Sequence, residues 1–188
     1  MKILITLALL FGYSSIQAQW KYQGTVEGGL INGNWETNAY VQTMQGIQYK
    51  QWTAGIGTGI DYYRYRSVPV FIEVQRSFGK KTIRPFIVAA AGLNATWPTE
   101  EQKQQWNGWM QTTQASFSNG FYSRFGGGIL LNANAKVKFS LRVAYSYKTL
   151  SRKYTEWNWE PWPQPVNTIE KTMEYRLNRL NIGLGVSF

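Results

Sequence analysis

Strict alternation of apolar and polar residues marks several segments of this chain, and it is clearest between Lys136 and Lys148. The odd positions of that segment carry Val137, Phe139, Leu141, Val143, Tyr145 and Tyr147. The even positions carry Lys138, Ser140, Arg142, Ala144, Ser146 and Lys148. A period of two places one set on each face of a β-strand, whereas the helical period of 3.6 would mix the two sets. The segment is therefore predicted to be a strand with one apolar face and one polar face.

The same pattern predicts five further strands, and two more are inferred from their length and their neighbours. Five segments alternate clearly, namely 20–30, 52–62, 68–78, 121–131 and 180–188. Two more alternate weakly, at 37–49 and 83–95, but they have a suitable length and their neighbours need pairing partners. Eight is an even number of strands, as in bacterial transmembrane barrels. The chain is thus predicted to be all-β, an eight-stranded antiparallel up-and-down transmembrane β-barrel.

The links between these strands fall into two classes that alternate along the chain. Short links are expected near 50, at 79–81 and at 132–135. The other set comprises 32–35, a bend near 66–67, and two long links at about 96–120 and 150–172. Outer-membrane barrels combine short periplasmic turns with longer outer loops, so both termini are expected on the short-turn side.

The residues on the polar face of the strands decide whether the apolar side chains point outward or into the lumen. Soluble eight-stranded barrels hold small ligands inside, which calls for apolar side chains that point inward. Here the less apolar face carries charged residues, namely Glu27, Asp61, Glu73, Arg124, Lys138, Arg142 and Arg179. An Arg or Lys that faces lipid at mid-bilayer costs roughly 2–4 kcal/mol, so the apolar face is expected outside.

The amino-terminal segment reads as an export signal. Lys2 precedes a short apolar run, and Ala18 supplies the small residue before a cleavage site. We expect residues 1–18 to be a signal peptide and residues 19–188 to form the outer-membrane β-barrel domain. An amino-terminal core helix is the alternative. No cysteine follows the apolar run, which excludes a lipoprotein anchor, and no later run is long enough for a membrane-spanning helix.

Together these features resemble the small outer-membrane β-barrel family, of the eight-stranded kind typified by the OmpA and OmpX barrels. The resemblance is carried by the signal segment, the glycine-rich strand at 55–59, the strand start at 69–71 and the terminal stretch 184–188. It covers nearly the whole mature chain and implies an integral location in the bacterial outer membrane. It also implies that Phe188 is an assembly signal, read by the barrel-assembly machinery during insertion.

An eight-stranded barrel has an interior just wide enough for side chains to fill. Inward glycines leave room for long residues from opposite walls, so we predict a buried charge network that plugs the lumen, formed by Glu27, Asp61, Glu73, Arg124, Arg142 and Arg179. Because the first and last strands are neighbours, Glu27 with Arg179 is the expected pair. The alternative is a narrow ion channel through the same charges.

The composition argues against an enzyme. The chain contains neither histidine nor cysteine, which removes the commonest general base and the thiol nucleophile. A carboxylate pair from Glu100, Glu101, Glu156 or Glu160 is conceivable, but such loop residues are usually solvated surface. We see no phosphate-binding loop or metal cluster and expect no cofactor.

The formal net charge is +10, which would suit nucleic acid if the bases were spread over one binding face. They are instead concentrated near the short-turn end, at Lys21, Lys50, Lys80, Lys81, Arg84, Lys136 and Lys138. Cations at that edge suit anionic lipid headgroups, and no nucleic-acid partner is expected.

The long links hold the remaining candidate chemistry, a set of tryptophans comprising Trp106, Trp109, Trp157, Trp159 and Trp162. Rigid indoles near prolines suit recognition of an envelope protein or a surface glycan. Alternatively, the tryptophans pack together over the barrel mouth. The sequence thus predicts a non-enzymatic barrel that acts through its loops as a binding or adhesion module, or as a subunit of an outer-membrane complex. A purely structural membrane protein is the other reading.

Overall fold

The computed structural model describes residues 20–34, 36–103, 115–158 and 167–188. The predicted signal peptide lies outside these residues. Within these ranges the chain forms nine strands and one short helix, α1 (Glu100–Lys103). The strands are β1 (Trp20–Gly33), β2 (Thr37–Tyr49), β3 (Trp52–Asp61), β4 (Ser67–Ser77), β5 (Arg84–Thr96), β6 (Ser116–Ser118), β7 (Gly120–Leu131), β8 (Lys138–Asn158) and β9 (Asn167–Ser187). No helix within the described ranges has the length and apolar character needed to cross a membrane.

Eight of these strands form a closed antiparallel barrel, which confirms the predicted fold. Each barrel strand pairs with the next along the chain, and β1 closes the barrel by pairing with β9. A path of paired residues that leaves β1 at Lys21 and crosses every ladder returns to β1 at Ile31, ten residues further along. Such a stagger requires the strands to tilt by roughly 40° against the barrel axis.

Side chains alternate between the outer surface and the lumen, as the sequence pattern predicted. On β4 the outward Val70, Ile72 and Val74 are exposed. The residues between them, Phe71 and Glu73, are buried at 2% and 1% exposure. The apolar face is therefore outside and the charged face lines the lumen, because only lipid can surround so much exposed apolar surface.

Aromatic side chains border this apolar band at both ends of the barrel. Trp20, Trp52 and Phe188 are exposed at one end, and Tyr62, Trp97 and Phe121 are exposed near the other. Between them, the outward apolar residues of β8 cover roughly 20 Å of the barrel axis at the usual strand rise and tilt. This arrangement matches the apolar band and aromatic girdles of barrels that cross a bilayer.

The links lie at the ends where the sequence placed them. Links 50–51, 78–83 and 132–137 share one end with Trp20 and Phe188, which we call the short-turn end. Lys50 and Gly79 turn the chain there with positive φ angles of 53° and 84°. The remaining links lie at the opposite, long-loop end.

Strands β8 and β9 continue far beyond the barrel wall at the long-loop end, which corrects the predicted long link 150–172. The ladder of β8 with β7 ends at Lys148, and the ladder of β9 with β1 ends at Arg179. Beyond these points residues 149–158 pair with 167–176 through ten further pairs. This hairpin, which we call the arm, is roughly 30 Å long at the normal strand rise. Residues 159–166, between the two paired segments, lie outside the described residues.

The other predicted long link, 96–120, also contains ordered structure. It includes α1 and β6, and β6 pairs with the first part of the arm. The register shifts by one residue between β6 and β7, so Asn119 forms a bulge that joins them into one bent strand. The Asn119 Oδ1 atom accepts a hydrogen bond of 3.0 Å from the Thr96 amide, which fixes the bulge to β5.

Candidate functional site

Four charged side chains from well-separated strands meet in the middle of the lumen. Glu27 on β1, Glu73 on β4, Arg124 on β7 and Arg142 on β8 are each at most 3% exposed. Each carboxylate contacts both guanidinium groups. Arg142 Nη1 lies 2.8 Å from Glu27 Oε2 and its Nη2 lies 3.2 Å from Glu73 Oε1. Arg124 Nη1 lies 3.2 Å from Glu27 Oε1, and Arg124 also pairs with Glu73. We call this group the inner square.

Neutral side chains hold the inner square in place. The Tyr40 hydroxyl donates a 2.6 Å hydrogen bond to Glu27 Oε1, and Gln75 Oε1 accepts one of 3.2 Å from Arg142. The two guanidinium groups also lie over aromatic rings, with Arg124 5.5 Å from Phe71 and Arg142 5.5 Å from Phe86. Such contacts compensate part of the solvation that a buried cation loses.

A second charged cluster lies closer to the long-loop end. Asp61 pairs with both Arg179 and Lys148, and the Lys148 Nζ atom lies 3.2 Å from Asp61 Oδ2. Lys148 Nζ also donates hydrogen bonds to the carbonyl groups of Tyr63 and Tyr65 and to Ser67 Oγ, at 3.0–3.2 Å. We call Asp61, Lys148 and Arg179 the outer cluster. The outer cluster contains two cations and one anion, whereas the inner square contains two cations and two anions.

All six predicted network residues are thus buried in the lumen, but they form two groups and the expected pair is wrong. Glu27 is paired with the inner square and Arg179 with Asp61. The reason is the register: Glu27 lies opposite Gly185, whereas Arg179 lies opposite Gly33. Six residues of strand, roughly 20 Å, separate the two positions. The sequence prediction also missed Lys148, although its even position on β8 places it on the lumen face with Arg142.

The inward glycines make room for side chains of nearby strands rather than for residues of the opposite wall. A Cβ on Gly183 would collide with the Tyr40 hydroxyl and lie 3.0 Å from Glu27 Oε1. A Cβ on Gly57 would similarly meet the Phe71 ring on the adjacent strand. These glycines therefore allow bulky lumen residues to lie flat along the wall.

Little space remains in the lumen around the two charged clusters. One cavity of about 10 Å³ lies within the inner square, and another of about 10 Å³ lies beside Tyr40 and Asp61. A volume of that size holds about one water molecule. The described side chains therefore fill the lumen at these levels, as expected for a barrel of eight strands.

An aromatic and aliphatic cluster covers the lumen at the long-loop end. It comprises Ile31, Tyr40, Tyr63, Tyr65, Leu150 and Leu177, with Phe117 and Tyr175 packed against them. The Tyr65 hydroxyl donates a 3.2 Å hydrogen bond to the Tyr175 hydroxyl. Burial, reinforced by this hydrogen bond, raises the pKa of Tyr65 above its usual value. The base of the arm is therefore part of the cover over the outer cluster.

The predicted recognition residues are only partly described. Trp106, Trp109, Trp159 and Trp162 lie outside the described residues, and the backbone of Trp157 pairs with Thr168 near the end of the arm. Phe188 is exposed at 53%, and its backbone exchanges two hydrogen bonds of 2.9 Å with Gly24. Its role in assembly stays a prediction.

Comparison with known proteins gives similarity of fold only. No protein-family model matches the chain, and no curated protein sequence matches it significantly. The N-terminal β-barrel domain of Pseudomonas aeruginosa OprF superposes with a TM-score of 0.51 at 11% identity, covering 90% of this chain and 100% of that domain. Neisserial surface protein A (NspA) superposes with a TM-score of 0.51 at 12% identity, covering 90% of this chain and 97% of that protein. The chain has the fold of the small outer-membrane β-barrels. Its apolar band and girdles are those of an integral outer-membrane protein surrounded by lipid.

Proposed function

We propose that this protein is a non-enzymatic outer-membrane barrel that acts through its long-loop end, as a binding or adhesion module or as a subunit of an outer-membrane complex. One observation carries the proposal: the lumen is filled by paired charges, while β8 and β9 extend ten residue pairs beyond the wall. A filled lumen leaves the surfaces outside the bilayer as the place for specific function. The absence of histidine and cysteine from the sequence supports a non-enzymatic role.

The proposed orientation places the long-loop end outside the cell and the short-turn end in the periplasm. Short periplasmic turns and longer outer loops are usual in this kind of barrel. In that orientation Phe188 lies at the periplasmic edge, where the barrel-assembly machinery is expected to read it during insertion.

The arm is the proposed recognition element. The outward side chains of β8 change from apolar to polar after Tyr147, so the arm leaves the apolar band and enters water. Its far end carries Trp157, and the sequence places Trp159 and Trp162 in the link beyond it. Indole rings held near prolines suit a protein surface or a glycan, because they offer large contact area with little loss of side-chain entropy.

A shortened arm tests this role. Because Tyr154 pairs with Lys171, residues 155–170 can be replaced by an Asn-Gly turn without changing the register of the rest. Full-length and shortened chains would be crosslinked in native membranes and co-purified, and each would also be tested for binding to surface glycans. We expect the shortened chain to lose its specific partner or glycan.

A triple variant, Trp157→Ala, Trp159→Ala and Trp162→Ala, separates the indoles from the arm itself. Loss of the same partner in both variants supports recognition by the tryptophans. An unchanged set of partners in both variants would contradict the proposal and leave a purely structural role.

A further inference from the structure

A large basic cavity opens at the short-turn end, opposite the arm. It has a volume of about 900 Å³ and lies between the turns and the first residues of β1, β5 and β8. Its cationic lining comprises Lys21, Lys50, Arg84, Lys136 and Lys138. This volume is in the range of small-molecule sites, roughly 300–1,000 Å³.

The alternation along the strands aims two of these cations, Lys21 and Lys138, into the mouth of the barrel. Lys21 shares its face of β1 with Gln23 and Glu27, both buried in the lumen. Lys138 likewise shares its face of β8 with Arg142, and its Nζ donates to Gln23 Oε1 and Gln48 Oε1, at 3.1 and 2.8 Å. Lys21 and Lys138 therefore face the lumen, whereas the sequence analysis expected the cations of this end to meet lipid headgroups at the rim.

No Asp or Glu side chain is among the described residues that line this cavity. The sequence explains why: three of the ten acidic residues are Glu27, Asp61 and Glu73 in the lumen, and the other seven belong to links and the arm at the long-loop end. Five cations around one cavity repel each other, and a bound anion with several charges offsets that repulsion.

We propose that this cavity, which we call the basic mouth, binds a ligand that carries several phosphate groups. Four of the five cations are lysines, whose ammonium groups act as mobile point charges and suit phosphate oxygens from many directions. Arg84 is held at the rim, because its Nε donates to the Lys81 carbonyl at 2.9 Å and its Nη2 to Asn134. The phosphate groups can belong to a soluble compound or to a lipid headgroup.

Isothermal titration of the mature protein with sodium tripolyphosphate, in zwitterionic phosphatidylcholine nanodiscs, tests the basic mouth. The wild type is expected to bind one tripolyphosphate saturably. The double variant Lys21→Gln and Lys138→Gln should bind roughly tenfold more weakly or worse, since two charges that face the cavity are lost.

The matched control is Lys80→Gln with Lys81→Gln. These residues lie at the same end, and replacing them lowers the net charge by the same amount as the Lys21→Gln and Lys138→Gln variant. Their side chains are not part of the cavity lining. The control should retain the wild-type affinity within about twofold. Equal weakening in both double variants, or no saturable binding by the wild type, would overturn the proposal.

Two further titrations identify the source of the phosphate groups. If nanodiscs that contain cardiolipin, whose headgroup carries two phosphate groups, abolish tripolyphosphate binding in the wild type, lipid headgroups occupy the basic mouth. Undiminished binding assigns the basic mouth to a soluble phosphate compound. Both results support a phosphate site. Tighter binding of hexa-aspartate than of tripolyphosphate would overturn it in favour of an acidic peptide partner.

Discussion

Each carboxylate of the inner square faces two guanidinium groups, so the four charges depend on one another. Replacing Glu27 with Gln keeps the shape but leaves Arg124 and Arg142 to share Glu73, with one uncompensated buried charge. Breaking a buried pair in this way typically costs about 3–5 kcal/mol. We expect that loss in the free energy of unfolding, measured by urea titration in liposomes with the heat-modifiable gel shift as readout.

Glu174→Gln is the control for this experiment, because the Glu174 side chain is 69% exposed and its ion pair with Arg176 lies at the surface. Surface pairs contribute about 0–1 kcal/mol, so the control should unfold almost like the wild type. Equal stability of the Glu27→Gln variant and the wild type would show that the square is not an interdependent unit.

Inward and outward glycines should respond differently to a single methyl group. Gly183→Ala would press against the Tyr40 hydroxyl that supports Glu27, and overpacking of this kind costs about 1–3 kcal/mol. Gly28→Ala meets only ordinary contacts of 3.8 and 4.0 Å and should change stability by less than about 0.5 kcal/mol. The same urea titration compares the two. A Gly28→Ala variant less stable than Gly183→Ala would contradict the packing described for the lumen wall.

The part of the arm beyond Tyr154 and Lys171 should be separable from the barrel. Its pairs lie beyond Lys148 and Arg179, where the ladders with β7 and β1 end. The shortened chain lacking 155–170 keeps every barrel ladder, so its free energy of unfolding is expected within about 1 kcal/mol of the wild type. Loss of the heat-modifiable gel shift in this variant would instead make the arm part of the folding unit.

Alternation predicted six of the eight barrel strands, because one face of each strand must be apolar in lipid. Strands β2 and β5 alternate weakly and were inferred from their length and from their neighbours' need for pairing partners. The prediction for β2, 37–49, agrees with the observed strand in both boundaries. The arm was missed because the outward residues of β8 after Tyr147 are polar, so the period-two signal ends although the pairing continues. Strand β5 alternates weakly since its inward Phe86 and Val88 pack in an apolar part of the lumen.

Strand order alone could not predict which charged side chains pair with each other inside the lumen. Burial of the six charged residues follows from their position in the alternation, and so does that of Lys148. Which charges meet depends on the ten-residue stagger and on strand tilt, which move Arg179 away from Glu27 along the wall. Side-chain alternation contains no information about that shift.

The distribution of charge makes the two ends of the barrel different, so the orientation of the molecule in the membrane matters. This orientation can be tested by labelling single introduced cysteines, because the chain contains no cysteine of its own. Thr172 on the arm and Thr82 in a short turn are both exposed. A membrane-impermeant maleimide should label a Thr172→Cys variant on intact cells, and a Thr82→Cys variant only after the outer membrane is permeabilised. The reverse labelling would invert the proposed topology.

The central claim is a membrane barrel whose lumen is closed by paired charges, and conductance across a planar lipid bilayer tests it most directly. The purified mature protein, folded and inserted at single-molecule density, is predicted to give no conductance steps above the bare bilayer. We expect this because the described side chains fill the lumen at the level of both charged clusters and leave cavities of only about 10 Å³ there. Steady, reproducible steps from the wild-type protein would contradict the account and favour the narrow ion channel.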